Sequence, residues 1–177
     1  CRDGKCVSVE IENVPSFVDR LDAPLEIEGL GTVVADIAYG GMFYAIVDAT
    51  KLGFRVIADE ARDLALFGRK LVAAANSQIG FSHPLLPDWT HFSFAFMTGP
   101  LETVDGHLSS RNACVINPGK IDRSPTGTGC SALMAVLHAK GLLKEGDSYL
   151  GRSLIESRFL GRIESLTRIG DKPAIIP

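Results

Sequence analysis

Cysteine is scarce in this sequence, and the few cysteines form no metal-binding pattern. Four occur in 177 residues, at Cys1, Cys6, Cys114 and Cys130. They include no Cys-x-x-Cys pair and no Cys/His grouping at zinc-ligand spacing. We therefore expect no structural metal, and the low cysteine density predicts a reducing compartment, the cytoplasm.

Long apolar runs and an excess of charge of one sign are also missing. No window reaches the roughly 18 consecutive apolar residues that a membrane helix needs. The formal net charge is -3 and the Lys and Arg residues are scattered, so no broad basic face is expected for nucleic acid or an anionic membrane. With 46% hydrophobic and 22% charged residues, the composition predicts a soluble globular protein whose partners are small molecules.

Strand-like patterns occur along most of the chain, as alternating apolar and polar residues at 6–13 and 91–97 and as short apolar runs elsewhere. The candidate strands cover residues 6–13, 25–28, 32–39, 42–48, 91–97 and 112–117, with further strands between 148 and 169. The glycine pair Gly40-Gly41 separates two of them, which predicts a hairpin or a close approach of two backbones.

Two segments have helical patterns. Residues 58–75 show the spacing of an amphipathic helix with one solvated face. Residues 130–141 are apolar almost all round, so this helix must be buried on every side, and Gly141 ends it at a favourable C-terminal position. The predicted fold class is α+β, with strands that enclose a central buried helix.

The stretch from Asp122 to Ala132 carries the strongest functional signal. It reads Asp-Arg-Ser-Pro-Thr-Gly-Thr-Gly-Cys-Ser-Ala and runs directly into the apolar helix. Gly127 and Gly129 allow the backbone to approach a ligand closely, and the free amides at a helix N-terminus favour an anion. Carboxylate and phosphate both suit such a site, so this architecture alone does not identify the ligand.

Several interpretations of this loop compete. A phosphate loop of the Walker type needs a Lys after the last glycine, and none follows Gly129. The nucleotide loop of tubulin-like GTPases is glycine-rich upstream, where this sequence has Arg-Ser-Pro. A glycine-rich helix start without a ligand remains open. Asp122 favours a ligand, because an acid beside an anion site provides the two opposite charges that hold a zwitterionic amino acid.

At this stretch the sequence resembles a known family. The string from Asp122 to the helix is similar to the second active-site motif of the proline racemase, 4-hydroxyproline epimerase and trans-3-hydroxyproline dehydratase superfamily. Further similar strings are Asn13-Val-Pro-Ser-Phe, the run from Asp36 to Ala49, and Glu156-Ser followed by Phe159. The resemblance covers most of the chain.

The resemblance implies two pseudo-symmetric halves of the diaminopimelate-epimerase type, each with strands wrapped around a central helix, and a substrate held between the two helix N-termini. This chain then supplies one wall of the site. Residues 1–20 are expected to be a strand and a connection that belongs to or leads from the N-terminal half, and residues 21–177 a second domain around the central helix 130–141. The family's first catalytic Cys lies in a Met-Cys-Gly-His type motif that this sequence lacks. We therefore expect the isolated chain to be inactive.

The resemblance also implies roles for the loop residues. Family racemases and epimerases carry a Cys on each wall, but at the second of these places this sequence has Thr126. An unactivated hydroxyl is too weak an acid to act as a base near neutral pH, unlike a thiol. The expected reaction is therefore the one-base dehydration of trans-3-hydroxy-L-proline to pyrroline-2-carboxylate. Thr126 is the expected catalytic residue, hydrogen-bonded to the leaving 3-hydroxyl or to a water beside it.

Substrate binding is assigned, by the same resemblance, to three residues. Asp122 accepts hydrogen bonds from the ring ammonium, and the amides of Gly127 and Thr128 bind the carboxylate. No metal or organic cofactor is implied. A structural role for Asp122, as a cap or as a partner of Arg123, remains open.

Two different functions are compatible with the same residues. One is the activity of a proline racemase or a 4-hydroxyproline 2-epimerase, and the other, of a different class, is that of a non-catalytic amino-acid-binding domain or fragment. For each function the expected ligand is hydroxyproline or proline. Assembly as a homodimer is left open. Contact with substrate is a weaker interpretation than surface or core packing for four further residues: His83, His91, Tyr39 and Phe43.

Overall fold

Residues 4–177, which the computed structural model describes, form an α+β fold built from one curled sheet. Its strands are β1 (Ser16–Ile27), β2 (Gly31–Tyr39), β3 (Phe43–Asp48), β4 (Phe94–Thr98), β5 (Glu102–Val104), β6 (His107–Ile116), β7 (Lys120–Ile121), β8 (Ser148–Arg152), β9 (Arg158–Arg162), β10 (Ser165–Ile169) and β11 (Lys172–Ile176). The helices are α1 (Ala61–Gln78) and α2 (Gly127–Ala139), with short 3-10 turns at Ala49–Leu52 and Ala58–Glu60. Within the described chain, neither helix is long and apolar enough to cross a membrane.

The two helices are crossover connections between parallel strands. The sheet runs in the order β10-β11-β1-β2-β3-β4-β6-β8-β9, and β5 and β7 pair with β6. The β3–β4 and β6–β8 pairs are parallel, whereas the other neighbours are antiparallel. Parallel neighbours require a long connection, and here α1 joins the first pair while α2 lies in the connection between the second.

Helix α2 is the centre of one of the two hydrophobic cores. Every residue from Gly129 to Leu137 is buried, and the sheet contacts the helix through β1, β2 and β3 on one side and β9 on another. The expected central helix is therefore present, although it begins at Gly127, three residues earlier than expected, and ends at Ala139. Gly141 follows with φ 74° and Leu142 donates its N–H to the carbonyl of Leu137 at 2.8 Å, a glycine-based C-terminal cap.

Helix α1 packs on the opposite side of the sheet and forms the second core. Its buried residues include Leu64, Phe67 and Leu71, and it contacts β1, β4 and β6. Gly68 lies where the helix crosses β6, because a Cβ atom at this position would stand 2.6 Å from the Cβ of Val115. The helix predicted over residues 58–75 begins as the 3-10 turn at Ala58–Glu60 and continues as α1.

The predicted strand over residues 6–13 is wrong. None of these residues belongs to a strand, and the apolar residues of the alternating pattern, Val7, Val9 and Ile11, are 66%, 73% and 82% exposed. Alternation gives a segment two distinct faces, but a strand also needs a hydrogen-bonded neighbour, and residues 6–12 have none in the described chain. The first strand is β1, which continues across the expected boundary between residues 20 and 21. Cys1 lies outside the described residues.

Replacement of Gly68 by Ala tests the packing of α1 on the sheet. Alanine normally stabilises a helix interior by about 1 kcal/mol relative to glycine. Here its methyl group meets Val115, so we expect Gly68→Ala to lower the free energy of unfolding by about 1–3 kcal/mol. Gly80→Ala is the matched control, because no atom lies within 4 Å of a Cβ there and its backbone is ordinary. Equal denaturation midpoints for the two variants contradict this packing.

Candidate active site at the start of helix α2

The loop that precedes α2 is organised around the carboxylate of Asp122. Its backbone N–H donates to the carbonyl of Cys114 at 3.0 Å, which extends the pairing of β7 with β6 by one residue. One carboxylate oxygen accepts a hydrogen bond from the N–H of Ser124 at 2.9 Å. The other accepts from the Ser124 hydroxyl at 2.9 Å and from the Thr126 hydroxyl at 2.7 Å. The loop thus holds the acid through contacts of its own.

These hydrogen bonds keep Asp122 ionised. Partial burial acts to raise the pKa of its carboxyl, but the hydrogen bonds from Ser124 and Thr126 outweigh it, and the pKa lies below its ordinary value. A carboxylate has about four acceptor positions, and the loop uses three. Among the described residues, none donates a side-chain hydrogen bond to the remaining one.

Thr126 has an unusual backbone conformation. Its φ is 64° and its ψ is 100°, a region that β-branched residues rarely adopt, and such strain costs about 1–3 kcal/mol. Three hydrogen bonds fix the residue: its N–H donates to the Ser124 hydroxyl at 3.1 Å, its carbonyl accepts from the N–H of Cys130 at 2.8 Å, and its hydroxyl donates to Asp122. Because the hydroxyl hydrogen points to Asp122, the oxygen can only accept further hydrogen bonds, and the buried Cys114 thiol lies beside it.

The other two expected binding residues form the first turn of α2. Gly127 and Thr128 lie inside the helix rather than in the loop before it, and Thr126 occupies the N-cap position without a side-chain cap hydrogen bond. The first amides of a helix have no carbonyl partner within the helix, and with the helix dipole they attract an anion. Gly127 is exposed, and Cε2 of Phe159 lies 4.0 Å from where its Cβ would be. The structure thus brings Asp122, Thr126 and these amides together.

The turn between β2 and β3 holds the first turn of α2 in place. A Cβ atom at Gly40 would lie 2.2 Å from the carbonyl oxygen of Thr128 and 2.4 Å from the nitrogen of Ala132. Gly41, with φ 108°, would bring its Cβ within 2.8 Å of the Thr128 methyl group. The expected close backbone approach at this glycine pair is therefore confirmed, and its partner is the start of α2.

Tyr44 is a site residue that the sequence did not reveal. Its hydroxyl lies 2.6 Å from the Thr128 Oγ1, and its side chain is fully buried. Burial raises the pKa of this phenol well above its ordinary value, so it stays protonated. The alternation along β3 places Tyr44 and Phe43 on opposite faces, but nothing local indicates a partner 84 residues away.

The buried cysteines nearest to this loop are not thiolates. Burial raises the pKa of the Cys114 and Cys130 thiols to about 12. The Cys130 thiol donates to the carbonyl of Pro125 at 3.2 Å, and a Cβ at Gly151 would lie 2.5 Å from its sulfur. The expectation that Cys130 is a helix packing residue is confirmed.

Four other candidates lie elsewhere. His83 is buried with its ring centroid 4.6 Å from that of Tyr39, and burial lowers its pKa. Tyr39 and Phe43 belong to the core on the α1 side of the sheet, whereas His91 is exposed. Core packing is thus the observed role of the two aromatic residues.

Two surface pockets lie away from this loop. Two of about 250 and 240 Å³ share the side chains of Asp36, Asp48 and Lys140, next to the C-terminal end of α2. The Lys140 ammonium, just after the last residue of α2, forms an ion pair with the Asp36 carboxylate at 2.6 Å. Among residues 4–177, no group of three or more His, Cys, Asp or Glu side chains is arranged to hold a metal ion.

Comparison with known proteins finds a matching family and similar solved structures. The family model for proline racemase matches residues 1–177. A solved structure of a hydroxyproline epimerase from Agrobacterium vitis, with bound trans-4-hydroxy-L-proline, is 41% identical with a TM-score of 0.90 over 99% of this chain and 50% of that one. A probable proline racemase from Agrobacterium radiobacter K84, with bound carbonate, is 36% identical with a TM-score of 0.91 over 99% of this chain and 51% of that one. The chain spans about half the length of these structures.

Substitution of Thr126 tests the hydrogen bonding of Asp122. Thr126→Val keeps the shape of the side chain but removes the donor, so we expect the pKa of Asp122 to rise relative to the parent protein. Carboxyl-carbon NMR titration measures this pKa. Thr103→Val, at an exposed position on β5, is the control and should leave the pKa unchanged. An unchanged pKa in Thr126→Val means that the hydroxyl does not stabilise the ionised acid.

Proposed function

The chain belongs to the proline racemase family, and we propose that the protein dehydrates trans-3-hydroxy-L-proline to pyrroline-2-carboxylate, with this chain as the second wall of the active site. The observation that carries the proposal is Thr126, a hydroxyl at the place where the family resemblance puts the second thiol of racemases and epimerases. The low cysteine content supports a cytoplasmic location.

The ammonium and the carboxylate of an amino acid match the two charged parts of this site, the Asp122 carboxylate and the N-terminal amides of α2. The ring ammonium donates to the remaining acceptor position of Asp122, whose lowered pKa keeps it anionic at neutral pH. The carboxylate lies against the amides of Gly127 and Thr128. As the α-proton leaves, negative charge develops on the carboxylate oxygens, and hydrogen-bond donors fixed in advance stabilise it. Bound trans-4-hydroxy-L-proline and carbonate in the two similar structures support a ligand of this kind.

The stereochemistry of the substrate permits elimination with a single base. In trans-3-hydroxy-L-proline the α-hydrogen and the 3-hydroxyl lie on the same face of the ring. The family resemblance supplies a thiolate on the wall opposite to Thr126, outside this chain. That thiolate removes the α-proton, the electron pair forms the C2–C3 double bond, and the C3–O bond breaks. The thiol then gives its proton to the leaving oxygen, so that water departs and the thiolate is regenerated.

Thr126 closes the other face of the ring. Inversion at Cα requires an acid that delivers a proton from that side, and a threonine hydroxyl whose hydrogen is already donated to Asp122 is poorly suited to this. Cys114 and Cys130 do not replace it, because burial raises their thiol pKa to about 12. These observations favour elimination over inversion. The hydrogen bond from its hydroxyl to Asp122 supports a role for Thr126 in anchoring that acid.

Epimerisation of 4-hydroxyproline is the second candidate. The 41% identity to a hydroxyproline epimerase favours it. It requires a proton donor on the Thr126 side, which an ordered water held by the Thr126 oxygen provides more slowly than a thiol. The two activities differ in their products, so one assay separates them.

A substrate panel tests the proposed activity. The full-length protein is incubated in D2O with trans-3-hydroxy-L-proline, trans-4-hydroxy-L-proline and L-proline in separate tubes, and each is followed by proton NMR. We expect loss of the 3-hydroxy compound alone, with a pyrroline carboxylate as product. Deuterium at Cα of the other two with inversion supports the epimerase or racemase instead. No change in any tube contradicts both, and favours a binding protein.

Restoration of a thiol at the second wall tests the role of Thr126. We expect Thr126→Cys in the full-length protein to increase deuterium exchange at Cα with inversion, because a thiol can exchange protons with solvent on the second face. Thr126→Ser, which keeps the hydroxyl and its bond to Asp122, is the matched control and should retain dehydration without exchange. If Thr126→Cys gains neither exchange nor inversion, the two-base account of this position is wrong.

A further inference from the structure

Asn13 ties together parts of the chain that are distant in sequence. Its side-chain amide donates one hydrogen bond to the carbonyl of Gly40 at 3.0 Å and another to the hydroxyl of Ser131 at 2.9 Å. Its backbone N–H donates to the carbonyl of Pro177 at 3.2 Å. Residues 6–12, which precede it, form no strand or helix. Asn13 is thus where this segment becomes attached to the fold.

Ser131 connects Asn13 to the start of α2 through a second hydrogen bond. Its hydroxyl accepts from Asn13 and donates to the carbonyl of Gly127 at 3.1 Å. Ser131 is buried in the second turn of the helix, and the bond to Gly127 is partly buried. A continuous series of hydrogen bonds therefore runs from Asn13 to the first peptide group of α2.

That peptide group contains one of the donors of the site. The carbonyl of Gly127 and the N–H of Thr128 belong to a single planar unit, so a bond that fixes the carbonyl also fixes the direction of the N–H. Hydrogen bonds in series polarise one another, which makes the N–H a stronger donor when the carbonyl accepts. Both effects favour the binding of an anion by the Thr128 amide.

The hydrogen bond from Asn13 to Gly40 also affects the first turn of α2, because it holds the glycine turn that packs against it. It holds the carbonyl of Gly40, the residue whose backbone packs directly against the carbonyl of Thr128. One side chain therefore fixes both the glycine turn and the helix start that rests on it. Loss of the amide releases both contacts together.

We infer that Asn13 is a positioning residue for the carboxylate of the substrate, acting through Ser131 and Gly127 on the Thr128 amide. The inference rests on the proposed function for the identity of the ligand as an amino-acid carboxylate. It adds a residue without ligand contact, located in the segment that enters the domain.

The test measures ligand affinity in the full-length protein, with L-proline as the calorimetric probe because it has the carboxylate and lacks a 3-hydroxyl. We expect Asn13→Ala and Ser131→Ala each to raise the Kd about five- to tenfold, which is the net contribution of one ordinary hydrogen bond, because each variant loses a bond that orients the Thr128 amide. The double variant should bind no more weakly than Asn13→Ala, because both residues act through one series of bonds.

Asn76→Ala is the matched control. The Asn76 amide also donates twice to backbone carbonyls, those of Val72 and Phe92, but it lies on α1. It should lower the denaturation midpoint and leave the Kd for L-proline unchanged. A Kd in Asn13→Ala equal to that of the parent overturns the inference. Should Asn13→Ala fail to fold, an unchanged Kd in Ser131→Ala overturns it equally.

A failure of the proposed function can be distinguished from a failure of the positioning role of Asn13. A parent protein that binds L-proline but converts none of the three proline derivatives overturns the dehydratase proposal, while a raised Kd in Asn13→Ala still supports the positioning role. A parent protein that does not bind L-proline overturns the positioning role, whereas its conversion of trans-3-hydroxy-L-proline still supports the dehydratase proposal.

Discussion

The contact between the glycine turn and the first turn of α2 is the constraint on which the candidate site depends. At Gly40 the two backbones are so close that even a methyl group would overlap the carbonyl of Thr128. The curled sheet surrounds the rest of the helix, and Gly129 to Leu137 are all buried, so the helix has no free face along which to shift. The positions of its N-terminal amides are therefore set by the packing of a core. For the carboxylate of the proposed function, donors whose orientation is fixed when the chain folds would lower the cost of organising them on binding.

Much of the fold follows from local patterns in the sequence. Residues 130–137 are apolar except for Ser131, which favours a buried helix, and the strand-like runs on both sides of Gly40-Gly41 correspond to β2 and β3. Residues 6–13 alternate equally well but form no strand, because pairing depends on a neighbour that the local sequence does not specify. The run 91–97 shows a related limit: β4 begins only at Phe94, and Phe92 before it packs in the α1 core instead of beside Phe94 and Phe96.

Part of the candidate site was also predictable from local sequence, and part was not. Asp122 and the glycines were predictable because acid, glycine and helix start follow one another within a few residues, and the family resemblance gave them roles. The contacts that hold these residues in place were not predictable. Tyr44 reaches Thr128 across 84 residues, and Asn13 reaches Ser131 across 118. Each is an ordinary polar residue in its own segment, and its importance arises only when the sheet curls around α2.

The N-cap of α2 has a consequence for how the protein responds to its ligand. Most helices begin at a Ser, Thr, Asp or Asn whose side chain bonds the first amides. Thr126 is of the right type, yet its hydroxyl is turned to Asp122, so its side chain does not cap α2. In the proposed function, the carboxylate of the substrate does for α2 what a capping side chain does elsewhere. A ligand that binds only the folded chain stabilises it by roughly 2.7 kcal/mol at a hundred times its Kd, so the proposed site would make the stability of the folded state depend on the concentration of its amino acid.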